Sequence, residues 1–178
     1  MIYSIGHSHL AATDLLALLR DFSVEVVIDV RRQPRSRRHP HFERNVLSAS
    51  LADAGIDYLW WGESLGGRRQ PRADSPNFAL DDASLRGYAD HMLSEQFRAA
   101  ALSLATLAAR RVTAFMCAEA DHQHCHRQLL ADHLARMGNT VRHITGPQRA
   151  LAHIQNAALG DDRDPPVYNR RAQGDLFA

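Results

Sequence analysis

The chain has 178 residues, 45% of them hydrophobic, which suits one well-formed core and is short for two. A formal charge of +1 excludes a polyanion binder that works by overall charge, so any phosphate site must come from local clustering. Two cysteines are too few for a disulfide scaffold, and no apolar run is long enough for a signal peptide or a membrane span, so a cytoplasmic protein with reduced thiols is expected.

Ile2 to Ile5 is a short apolar strand that stops at Gly6-His7-Ser8, and Thr13 is placed to cap a helix carrying Leu15, Leu16, Leu18 and Leu19. His7 and Ser8 then stand at a strand's carboxyl end, either as ligand groups or as residues bonding the backbone. Val24 to Val30 is apolar apart from Glu25, as in a strand buried on both faces, and it delivers Asp29 and Arg31 to the same rim. All 21 basic residues are arginine, and six of them fall between Arg31 and Arg44 against one glutamate. Prolines stiffen that stretch, so it reads as a basic loop in which Arg35 and Arg38 contact phosphate and Phe42 offers a stacking ring. A solvated surface run is the alternative.

Asn45 to Gly55 reads as a helix and Ile56 to Trp61 as a third strand, with Glu63 just beyond its end. Gly66 to Arg72 is a flexible basic loop, and the polar stretch after it, to about Asp81, is long for a connection and suggests a lid. From about Asp82 to Arg110 the pattern is helical with one break near Ser94-Glu95. Val112 to Met116 is a fourth strand, Gln128 to Met137 a helix and Val141 to Ile144 a fifth strand, after which one more short helix is expected. Strand and helix alternate, so the fold class is α/β, a doubly wound, mostly parallel, Rossmann-like sheet. The expected division is an α/β domain over 1–159 and a flexible tail over 160–178.

The densest chemistry lies from Phe115 to Arg127, with both cysteines, three histidines and two carboxylates between a strand and a helix. Cys125, His126 and Arg127 should open that helix, where free N–H groups attract anions and lower a thiol's pKa. Zinc on Cys117, His122, His124 and Cys125 fits by ligand type, but the spacing matches no common structural pattern, and no cofactor is firmly implied. A phosphatase loop needs arginine six residues after its thiolate, and Gln123 stands there after Cys117. Cys125 beside His126 is then either an activated nucleophile or a thiol that orients the loop. Asp29, Glu63 and Glu119, at strand ends, are the candidates for general acid/base work, with arginines holding phosphate.

Ile-Gly-His-Ser at 5–8, Asp-Val-Arg at 29–31, Pro-Arg-Ser-Arg-Arg at 34–38, Leu-Gly-Gly at 65–67, and Met-Cys-Ala-Glu with Cys-His-Arg within 116–127 together resemble the domain-of-unknown-function 488 family. The resemblance covers about residues 1–146 and implies a small α/β domain without supplying a reaction. Near the other end, Gln173, Asp175, Leu176 and Phe177 are similar to the short peptide that docks bacterial DNA polymerases and repair proteins on the sliding clamp, with Gly174 where leucine is usual. A DNA-processing or repair enzyme of hydrolytic type is the function these features favour, with DNA and the sliding clamp as partners and no membrane. The alternatives are a nucleic-acid or nucleotide binding module and an enzyme acting on a small phosphorylated metabolite.

Overall fold

The computed structural model describes residues 1–160 and 165–170. Five parallel strands, β1 (Ile2–Gly6), β2 (Val26–Asp29), β3 (Asp57–Trp60), β4 (Thr113–Cys117) and β5 (Val141–Gly146), form one sheet, and β6 (Arg149–Ala152) adds an antiparallel edge. Their order is β3-β2-β4-β1-β5-β6. β2 and β4 are buried at every position, as the apolar runs at 26–28 and 114–116 suit central strands covered on both faces.

Alternation along the strands divides the core. Ile5, Val27, Ala114 and Met116 pack with Leu15 and Leu19 of α1 (Ala12–Asp21) and Leu47 and Leu51 of α2 (Arg44–Asp53). Val26, Ile28, Phe115 and Cys117 face the other layer, built by α4 (Ala83–Met92), α5 (Glu95–Ala108) and α6 (His126–Arg136). A single turn, α3 (Gly62–Leu65), follows β3. The helix after β1 thus lies on one face and the helix after the adjacent β4 on the other. That divergence opens a crevice at the carboxyl ends of β1, β2 and β4, the place where open α/β sheets bind ligands.

Most elements lie where the sequence predicts, including the helix break at Ser94, whose hydroxyl caps α5 by accepting from the Phe97 N–H. Two local expectations are corrected. α1 begins at Ala12 behind Ala11, so Thr13 is inside the first turn and caps nothing. After Gly146 the chain makes a hairpin rather than a helix, turning through Pro147 and Gln148, the latter at φ 52°. The chain beyond residue 160 is anchored over 165–170: Tyr168 is fully buried, its N–H donates to Asn77 Oδ1 and its hydroxyl to Asp132. The clamp-like residues Gln173, Asp175, Leu176 and Phe177 lie outside the described residues. Among the described residues no helix is long and apolar enough to cross a membrane.

Candidate functional site

The crevice holds a cavity of about 200 Å³. His7 comes to it from the end of β1, Arg31, Arg32 and Arg35 from the loop after β2, Gly67 and Arg68 from the loop after α3, Cys117 from the end of β4 and His126 from the first turn of α6. Residues separated by more than a hundred positions meet because β4 is inserted between β1 and β2. Gly6 lets the loop after β4 pass close to the end of β1, since a Cβ there would overlap the Glu119 carbonyl oxygen.

One wall is a closed polar network. Asp29, fully buried, accepts from the Arg31 backbone N–H at 2.9 Å, from Arg31 Nε at 2.9 Å, from Nη2 at 2.5 Å and from the Tyr58 hydroxyl at 2.6 Å. Burial, and then the Asp29 charge, push the Tyr58 hydroxyl well above its ordinary value, so it stays a donor. Arg31 spends its remaining Nη1 donors on the Phe42 carbonyl at 2.9 Å and on His7 Nε2 at 3.1 Å. His7 donates through Nδ1 to the Ser8 carbonyl, at 3.1 Å. Burial and the Arg31 charge lower its pKa to about 4, so the ring is neutral at physiological pH. Asp29 and Arg31 therefore hold the rim in shape, and Asp29 has little capacity left for a substrate proton. Phe42 is fully buried and packs on His7 with ring centroids 3.9 Å apart, so its ring braces the loop and does not face a ligand.

The floor is made of sulfur and imidazole. Cys125 is the N-cap of α6, as its place in the sequence requires. Its sulfur lies 3.6 Å from His126 Nδ1, and the Cys117 sulfur 3.9 Å from the same nitrogen. His126 Nε2 donates to the Val30 carbonyl at 3.2 Å, which fixes the tautomer and leaves the Nδ1 lone pair toward both sulfurs. A bond from the Cys117 thiol, and then the Arg127 charge and N–H groups, draw Cys125 down to about 6 despite burial. The same hydrogen bond, in which Cys117 is the donor, and then burial push Cys117 up to about 12. Cys117, not Cys125, is the sulfur that lines the cavity.

The other expected residues are distributed around this centre. Arg127 is buried, donating to Ser4 Oγ at 2.9 Å and to the Glu119 and Ala120 carbonyls, so it clamps the loop between β4 and α6. Ser8 sits at φ 44° and bonds His9. Glu119 is exposed and accepts from the Asp121 N–H, and Glu63 is exposed on α3; neither lines the cavity. Arg38 is exposed on the basic loop without lining the cavity, His124 bonds Asp121 at 2.9 Å, and His122 stacks on His143 with ring centroids 3.6 Å apart. Gln33 and Ser36 line the cavity without having been singled out as contacts, and Gly67 lines it from the flexible basic loop, where a Cβ would lie 2.7 Å from His126 Nδ1.

The family model described as "Domain of unknown function DUF488" matches residues 11–134, a stretch that contains the whole cavity wall except His7. No curated protein and no solved structure matches the chain.

Proposed function

This chain belongs to the DUF488 family, a membership that carries no reaction, and from the site itself we propose a DNA-processing or repair enzyme, hydrolytic in action, that seats a backbone phosphate in the arginine-lined cavity. The observation that carries this is the pairing of cations with a reactive floor. Arg32, Arg35 and Arg68 are exposed at the cavity and, among the described residues, none of them is ion-paired. Guanidinium groups without carboxylate partners are free to fork onto phosphate oxygens. Directly beneath them lie Cys117 and His126, the groups a scissile bond held at the mouth would reach. The exposed Arg37 and Arg38 extend the positive surface along the same loop, as tracking a polynucleotide requires. Sliding-clamp docking through Gln173, Asp175, Leu176 and Phe177 belongs to the same proposal.

A binding module is the second reading, favoured by the engagement of Asp29 and by the absence of Glu63 and Glu119 from the cavity. One experiment separates them. Purified protein is incubated with single-stranded, duplex and base-damaged DNA, with free nucleotides alongside, and both product release and affinity are followed for wild type and Cys117→Ser. Turnover of a DNA substrate that disappears in the variant while affinity stays supports the enzyme. Salt-dependent binding without turnover supports the module, and neither binding nor turnover rejects both.

A further inference from the structure

We propose that Cys117 Sγ, Cys125 Sγ and His126 Nδ1 hold one zinc ion, with its remaining coordination position turned to the arginine-lined cavity. The three donor atoms lie within 4.8 Å of one another. With Zn–S bonds of about 2.3 Å and Zn–N bonds of about 2.0 Å, a tetrahedral ion sets its sulfur and nitrogen ligands about 3.5 Å apart. The two sulfur–nitrogen distances here are 3.6 and 3.9 Å, within a few tenths of an ångström of that spacing.

Both sulfurs lie near the single Nδ1 lone pair, at 3.6 and 3.9 Å. A cation at the common focus uses all three donors at once. Imidazole ligands of zinc are ordinarily oriented by the other ring nitrogen donating to a carbonyl, and the His126 Nε2 bond to Val30 is that arrangement. Gly67 keeps the approach to Nδ1 clear, because a Cβ would stand 2.7 Å from it. The donor set of two thiolates and one imidazole selects zinc over hard cations, and three protein ligands with an open fourth place are the pattern of zinc sites that do chemistry. Binding requires no redox partner: Zn²⁺ takes both sulfurs as thiolates, whatever thiol protons remain pass to solvent, and the two thiolates balance its charge. Cys125 stands at the N-cap of α6, where the helix's free N–H groups favour a thiolate.

This site differs from the set suggested by residue type alone, because His124 bonds Asp121 and His122 stacks on His143. It also stands apart from the proposed activity, since it is read by metal content. The reduced full-length protein, stripped with chelator and titrated with zinc, is expected to bind one ion per chain. Replacement by cobalt should give a thiolate-to-metal charge-transfer band and the d–d bands of a tetrahedral ion. Cys117→Ser, Cys125→Ser and His126→Gln should each weaken zinc at least tenfold, and His122→Gln with His124→Gln should leave it unchanged. Failure of folded wild-type protein to take up zinc, a cobalt complex without the charge-transfer band, or loss of metal in the His122/His124 variant overturns the proposal. Because the cobalt spectrum is recorded on wild type, it decides the matter even where a cysteine variant does not fold.

Discussion

Asp29→Asn distinguishes a structural carboxylate from a reacting one. The substitution keeps the shape and one acceptor oxygen but puts an NH₂ group against donors of Arg31 or Tyr58, in a site with no solvent access at Asp29 and 6% exposure at Arg31. Breaking a buried, hydrogen-bonded ion pair by removing one partner costs roughly 3–5 kcal/mol, because the remaining charge stays desolvated. For a chain of this size each kcal/mol moves the melting temperature by about 2–4 °C, so the midpoint should fall on the order of 10 °C. Thermal and urea unfolding of wild type, Asp29→Asn, Arg31→Met and the double variant provide the measurement. The double variant should lose much less than the sum of the singles, since neither charge is then left alone. A melting point within 2 °C of wild type in Asp29→Asn, together with loss of a measured activity, would falsify the structural assignment and return Asp29 to the role of general base.

Further outcomes are expected. Arg35→Ala combined with Arg68→Ala should weaken binding of a single-stranded oligonucleotide and reduce the slope of log K against log salt by about 0.7 per lost phosphate contact, as fluorescence anisotropy at several salt concentrations would record; an unchanged slope rejects the phosphate role. The folded-state values of His7, about 4, and of His143, held near 2 by burial and the neighbouring His122, lie below the ordinary 6.5, so the unfolded chain takes up these protons first. Stability contributed by neutral histidine is therefore complete above about pH 6.5 and is lost as pH falls toward 4, at up to roughly 1.4 kcal/mol per pH unit for each ring. Urea midpoints that stay flat between pH 7 and pH 5 would refute this. Truncation after residue 172 should remove binding to a bacterial sliding clamp without moving the melting temperature, whereas Tyr168→Ala should lower stability by roughly 3–5 kcal/mol, because it empties a fully buried site. Clamp binding that survives truncation, or a Tyr168→Ala melting curve like wild type, rejects the corresponding half.

The sequence by itself determined the alternation of strands and helices, because periodicity is a local property. The short apolar runs at β2 and β4, bounded by polar residues, suit the middle of a sheet covered on both sides. Position at a strand end likewise sent His7, Asp29, Arg31 and Cys117 toward one rim before any strand order was known, and placed Cys125 at the start of α6. The hairpin after Gly146 escaped detection because its turn places Gln148, and not glycine or asparagine, at positive φ. Tertiary structure decided what each rim residue does. Only the order β2-β4-β1 sets His7 beside Arg31 and Val30 beside His126, contacts between residues 24 and 96 positions apart. Only packing shows that Asp29 is consumed by Arg31 and Tyr58, that Phe42 faces His7, and that two sulfurs share one imidazole nitrogen. A sequence fixes which donors and acceptors a residue carries, while hydrogen-bond partnership and burial depend on distances set by residues far away in the chain.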